Sequence, residues 1–293
     1  MSRVFDKGRR LIMSIRTHIR SIGAALFILA IISGCGGSGD INYNVGTAGW
    51  SNWPWPWQTE ANIFVSKNYS ETIIDSGLTN LWLNGINGEV TITGIPGRGL
   101  VSIIAEVRVG STTLADAQEG LNQLDVLLTD NGSDINVRTS QPSKSLDRQY
   151  IVDYNIILPS DLPVSVNLVN SHITFNGLEN STFITLGNGS VYFNSVSGDT
   201  TVSIDNGTFI GSMSLNPDSE ALISIVIGDI DLNIPTTTSA ELFAQVNNGT
   251  ITWENLDLVN VQATSKTLQG ILGDGAGLID LETVNGNISI IGL

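Results

Sequence analysis

A dipeptide that returns at a fixed distance limits this chain more than any other feature. Asn170-Ser171, Asn188-Gly189 and Asn206-Gly207 stand 18 residues apart, Ile227-Gly228 and Asn248-Gly249 follow at steps of 21, and Asn285-Gly286 lies 37 further on. Self-similarity at such a period means that one small unit is reused, and a unit too small to bury its own apolar face must bury it against its neighbours. The flanking residues keep phase with the dipeptide. Apolar or β-branched side chains alternate before it, as in Val164, Val166, Leu168 and in Thr200, Val202, Ile204; they alternate again after it, as in Ile173, Phe175 and in Val191, Phe193. Each unit therefore reads as a strand with three inward positions, a tight turn and a strand with two. On this count the last, double step hides one more unit between Asn248 and Asn285.

Two all-β architectures can use such a unit. Asn-Gly between alternating strands is the strongest short-range hairpin signal, so an antiparallel β-meander or sandwich is one of them. In the other, a parallel β-helix (solenoid), each unit forms one coil stacked on the last at about 4.8 Å. Stacking is preferred because it explains why the same residue types recur at the same phase. It puts Asn170, Asn188 and Asn206 in register, where their amides can hydrogen-bond along a ladder.

The first half of the chain alternates in the same way, with one interruption. Ile63 and Val65, Leu81 and Leu83, and Val90 and Ile92 mark short strands; Asn87-Gly88 is a turn between the last two, and another strand spans Val101 to Val107. Thr112 or Thr113 then caps a short amphipathic helix near 112–124, in which Leu114, Ala117, Leu121 and Leu124 recur near helical spacing. Its apolar face is expected to pack on the β core or to close one end of it.

The stretch from Tyr150 to Pro159 followed by Val164-Ser165-Val166-Asn167, and the ending from Gly275 to Ile290, resemble the bacterial putative-adhesin domains of uncharacterised function. The similarity runs over residues 61–293. It implies a right-handed parallel β-helix, usually exported or membrane-associated, and no catalytic residues.

Residues 1–34 read as a targeting segment. Arg3, Lys7, Arg9, Arg10, Arg16 and Arg20 against Asp6 make a basic start, and Ser21 to Gly34 is a nearly unbroken apolar run. That run is shorter than the roughly 20 residues a transmembrane helix needs, and it suits a signal peptide. Ile32-Ser33-Gly34-Cys35 follows it and resembles the bacterial lipobox, which implies lipidation at Cys35. Met13 opens a more usual signal, so translation can begin there. If the gram-negative sorting rule applies, Gly36 after the cysteine, in place of Asp, implies the outer membrane.

Cys35 is the only cysteine of the chain, which excludes a disulfide framework and a thiolate zinc site. Removing residues 1–34 takes six of the 13 basic residues and one of the 28 acidic ones, leaving 7 against 27 and a net charge of −20. Such a surface repels nucleic acid. Residues 35–60 form a lipid-anchored tether. After Gly36-Gly37-Ser38-Gly39 comes a segment carrying Trp50, Trp53, Trp55 and Trp57, held extended by Pro54 and Pro56. Its rings can meet the membrane interface, stack on a sugar, or cover the open end of a hydrophobic core.

Few residues suggest chemistry. His172, the only histidine outside the signal, is expected to be a solvated turn residue; with no second histidine or thiol beside it a transition-metal site is not expected, and a serine triad would have His172 as its one possible base and no GxSxG elbow to position a serine. No cofactor is implied. Asp199, Asp205, Asp229 and Asp231 should face outward, where adjacent coils can bring two together at glycosidase distances, so a carbohydrate-active β-helical enzyme (polysaccharide lyase or hydrolase) is the competing class. The expected function is a non-catalytic structural, adhesive or interaction module of the cell envelope, with membrane attachment through the anchor and a protein or glycan ligand.

Overall fold

The computed structural model describes residues 46–47, 63–75, 77–144 and 147–293. Cys35, Gly36 and the tryptophan segment from Trp50 to Trp57 lie outside the described residues. In chain order come β1 (Gly46–Thr47), β2 (Ile63–Ile74), β3 (Asn80–Asn84), β4 (Asn87–Ile95), β5 (Leu100–Ser111), α1 (Leu114–Leu121), β6 (Asp125–Asp130), β7 (Asp134–Ser140) and β8 (Gln149–Pro159). Then follow β9 (Val164–Asn176), β10 (Thr182–Ser197), β11 (Thr200–Ser214), β12 (Glu220–Ile227), β13 (Ile230–Ile234), β14 (Ala240–Asn248), β15 (Ile251–Glu254), β16 (Leu258–Ala263), β17 (Thr267–Leu272), β18 (Gly277–Asn285) and β19 (Ile288–Gly292). The described residues are thus all-β apart from α1, and their strands join in one large mixed sheet.

The middle of that sheet is built from the repeat. β9, β10 and β11 pair side by side in parallel: Thr182 lies opposite Val164 and Thr200, Asn188 opposite Asn170 and Asn206, and Asn194 opposite Asn176 and Ser212. The chain passes through each Asn-Gly position without reversing, so these dipeptides are corners, and the hairpin alternative fails for these units. Glycine at the corner answers a steric demand. Gly207 has φ +155°, and a Cβ there would stand 1.7 Å from the carbonyl oxygen of Gly189 in the adjacent layer.

Alternation then sorts the side chains. Val164, Val166, Ile184, Val202 and Ile223 are all buried. Phe175 and Phe193 meet edge to face at 5.4 Å, and Phe193 meets Phe209 at 5.0 Å. The register places Gly211, not Phe209, opposite Phe193. The Phe209 ring fills the space that Gly211 leaves, since a Cβ on Gly211 would lie 2.5 Å from it. A sequence irregularity is thereby absorbed by packing.

The ends depart from the repeat in two ways. Stacking order and chain order part company beyond β12 and β13: the C-terminal pair β18 and β19 lies against them, with Ile227 opposite Asn285 and Ile230 opposite Ile288. β14 and β15 come next, on the outer side of β18 and β19. No unit is hidden between Asn248 and Asn285, contrary to the expectation from spacing. That stretch makes the antiparallel strands β16 and β17, and β17 closes over β14. Nothing among the described residues stacks on β15, so Trp253, at an inward position, is 38% exposed.

The other end repeats the exchange. β3 and β4 lie directly on β9, with Leu81 opposite Val164 and Asn87 opposite Asn170, although more than 80 residues separate them. β7 and β8, later in the chain, lie on their far side. β6 then closes antiparallel on β7, β5 on β8 and β2 on β5. α1 joins β5 to β6. Its cap is Thr113, whose Oγ1 accepts from the Asp116 N–H at 3.2 Å. The helix is shorter than the spacing predicts: Leu124 is buried beyond its end, and Leu114 is partly exposed. Arg148 is buried beside it and donates to Asp116 at 2.7 Å.

Candidate binding face

Because the first strand segments of successive layers pair without a change of register, their outward residues fall into continuous rows. One row runs Trp82, Ser165, Phe183, Thr201, Leu222, Asp280, Phe243. Beside it runs a second: Asn84, Asn167, Thr185, Ser203, Ser224, Glu282, Gln245. In the first row large apolar side chains alternate with small or polar ones, so that Trp82, Phe183, Leu222 and Phe243 recur every second layer, about 10 Å apart at ordinary strand spacing. Trp82 is 44% exposed and Phe183 50%, whereas Ser165 between them is buried and accepts a hydrogen bond from Asn80 Nδ2 at 3.1 Å.

The spacing of the repeat did not single out these aromatics, because it identifies corners and inward positions. Their signal is phase: Trp82 lies between buried Leu81 and Leu83, and Phe183 between buried Thr182 and Ile184. A single exposed apolar side chain is ordinary, as at Val169 and Val226; what sets Trp82 and Phe183 apart is that they fall in one row.

The corner carries the expected amide ladder. Asn188 Nδ2 donates to Asn170 Oδ1 at 2.9 Å, and Asn206 to Asn188 at 3.3 Å. The ladder also extends one rung further than the spacing indicated, because Asn170 donates to Asn87 at 2.7 Å. Ile227 breaks it, and Asn248 donating to Asn285 at 2.8 Å forms a separate rung.

Of the four aspartates singled out by the sequence, Asp199 and Asp229 hold layers together. Asp199 Oδ1 accepts from the Glu220 N–H at 3.0 Å, and Asp229 Oδ1 accepts from the N–H and the side-chain amide of Asn287 at 2.6 and 3.2 Å. Asp205 and Asp231 are exposed, and burial followed by repulsion from Asp229 raises the pKa of Asp231. His172 is half-buried between the Glu89 and Ser190 positions of neighbouring layers, which corrects the expectation of a solvated turn residue. Burial lowers its pKa, opposed by the Glu89 carboxylate.

No protein-family model matches the chain, and no curated protein matches it. Among solved structures the chain is similar to a putative cell adhesion protein from Clostridium sporogenes, with 14% identity and a TM-score of 0.46 over 78% of this chain and 100% of that one. It is also similar to a putative adhesin from Bacteroides fragilis, with 11% identity and a TM-score of 0.37 over 78% of this chain and 97% of that one. A putative adhesin from Parabacteroides distasonis follows, with 10% identity and a TM-score of 0.24 over 76% and 97%. At these levels no function passes from those proteins to this one.

Proposed function

We propose that the chain is a cell-envelope lipoprotein, lipidated at Cys35 and held on the outer membrane, whose stacked domain is a right-handed parallel β-helix acting as a non-catalytic adhesive or structural module. The observation that carries this reading is the unbroken run of outward rows from β3 to β14. A platform of fixed register offers a repeating surface, which suits attachment better than enclosing and turning over a small substrate. The carboxylates of Asp199 and Asp229 accept backbone amides of neighbouring layers, a structural use that competes with acid-base chemistry. The net charge of −15 argues for partners other than nucleic acid.

The anchor is tested by Cys35→Ser. Two or more acyl chains, at about 0.8 kcal/mol per buried CH₂, make release from a bilayer negligible. The variant should lose incorporation of a fatty-acid analogue and leave the outer-membrane fraction. Unchanged labelling would contradict the anchor, and unchanged attachment of cells lacking the protein would contradict the adhesive role.

A further inference from the structure

The row through Trp82, Phe183, Leu222 and Phe243 is one residue wide, straight by register, and periodic. A globular protein surface meets its partner through a contiguous patch with an apolar centre and a polar rim. Here Ser165, Thr201 and Asp280 interrupt the apolar side chains at every second layer. A surface that repeats along a line fits a ligand that repeats along a line.

Charge narrows the ligand further. The chain has 28 acidic residues against 13 basic ones, yet neither the stretch from Trp82 to Leu222 nor the matching stretch of the polar row, from Asn84 to Ser224, holds a charged residue. The flanking side chains there are amides and hydroxyls, which both donate and accept. Charges lie at its borders: Asp199 and Glu220 precede the paired Thr200 and Ala221, Asp205 is the next outward residue after Ser203, Asp280 and Glu282 pair with Leu222 and Ser224, and Arg138 pairs with Asn84. The acids outnumber the one cation, so the border repels anionic polymers and accepts from neutral hydroxyls.

We propose that this row is a binding platform for an extended, neutral, β-linked glycan, with Trp82 and Phe183 stacking on the apolar faces of alternate sugars. In a flat β-linked chain alternate rings present the same face, so contacts at every second ring demand aromatics at a fixed, long interval. Exposed aromatic side chains about 10 Å apart on a rigid sheet meet that demand without ordering a loop. Asn167, Thr185 and Ser203, alongside, reach the equatorial hydroxyls. The inference deepens the adhesive reading by naming its surface and its ligand class.

The test uses the full chain purified in detergent, titrated by calorimetry with cellohexaose and chitohexaose, and with maltohexaose and hexagalacturonate as curved and anionic comparisons. At least one neutral β-linked hexasaccharide should bind, and Trp82→Ala or Phe183→Ala should weaken it about tenfold or more, the scale of an interface anchor. Trp82→Tyr should restore most of the affinity, and Trp253→Ala, away from the row, should leave it unchanged. No binding of either neutral hexasaccharide, equal binding of hexagalacturonate, or affinity indifferent to Trp82→Ala and Phe183→Ala overturns the assignment. Attachment of cells separates this from the adhesive reading. Attachment that survives both aromatic substitutions and glycan competition, as a protein receptor would give, overturns the platform and keeps the adhesive role; glycan binding by a chain that promotes no attachment does the reverse.

Discussion

The middle layers and the ends of this stack solve the same problem by different means. From β9 to β11 each layer follows the last in the chain, 18 residues on, and the strands meet residue by equivalent residue up to Asn194, where the register between β10 and β11 shifts by one. At both ends the segment farther along the chain from the middle lies inside the nearer one: β18 and β19 lie inside β14 and β15, and β3 and β4 touch β9 with β7 and β8 outside them. Antiparallel strands then close over most of the outer edges. A repeat dictates what its neighbour must look like and says nothing about how to stop. Stopping matters, because an unpaired parallel edge is a template for another chain. Fastening a segment distant in the chain between two layers, and turning the outermost strands antiparallel, both end the pattern.

This contrast predicts graded sensitivities. The largest lies in the dry core of the middle. Val202 is buried between Ile184 and Ile223, so Val202→Asp puts an unpaired charge where water cannot reach and should cost more than about 4 kcal/mol. Ser203→Asp, one residue away and facing out, should stay within about 0.5 kcal/mol. Trp253→Asp occupies an inward position at the uncovered end, and its carboxylate can reach water, so the loss there should be about half that of Val202→Asp or less. Urea denaturation of the three variants checks the ranking. Equal losses at Val202 and Trp253 would erase the distinction between middle and end.

A smaller difference is expected along the amide ladder. Asn188 both donates to Asn170 and accepts from Asn206, whereas Asn248 makes a single side-chain rung with Asn285. Asn188→Ala should therefore cost about 1–2 kcal/mol and Asn248→Ala about 1 kcal/mol or less, measured by the same denaturation.

The smallest effect is a pH dependence confined to one end. Hydrogen bonds from Arg148 and then Ser111 hold Asp116 down to about 2 from an ordinary 3.8. A depressed carboxylate contributes stability that is fully present above its unfolded value and lost as pH falls through the folded one. Between about pH 4 and pH 2, amide exchange in β5 and α1 should accelerate before that in β10, and Asp116→Asn should remove the difference. Exchange that rises equally in both regions would contradict it.

How much was legible from sequence follows the same division. Corners at Asn188 and Asn206 could be read because each has a local cause, a glycine forced by close backbone approach and an amide placed for its neighbour. The capping Thr113 was local too. The exchanged ends were not legible, since Ile227 meets Asn285 only through long-range pairing, and a constant period invites the assumption that the next unit in the chain is the next in space. Asn87-Gly88 has the local pattern of a turn, yet the place of Asn87 in the ladder depends on β4 returning to β9. The aromatic row was hidden for the same reason: Trp82, Phe183 and Phe243 come from layers that chain order scatters, and only the final register lines them up.

Parallel, in-register stacking underlies the rows, the ladder and the face, and a pair of cysteines tests it most directly. Thr185 and Ser203 lie opposite each other on adjacent strands, both exposed, 18 residues apart in the chain. The double substitution Thr185→Cys, Ser203→Cys in a Cys35→Ser background, to remove the only other thiol, places the new Cα atoms about 5 Å apart, inside the range a disulfide spans. Mild oxidation should close the bridge in the folded protein nearly to completion, without loss of strand signal in circular dichroism. A folded protein that keeps both thiols free under the same oxidant would contradict the stack.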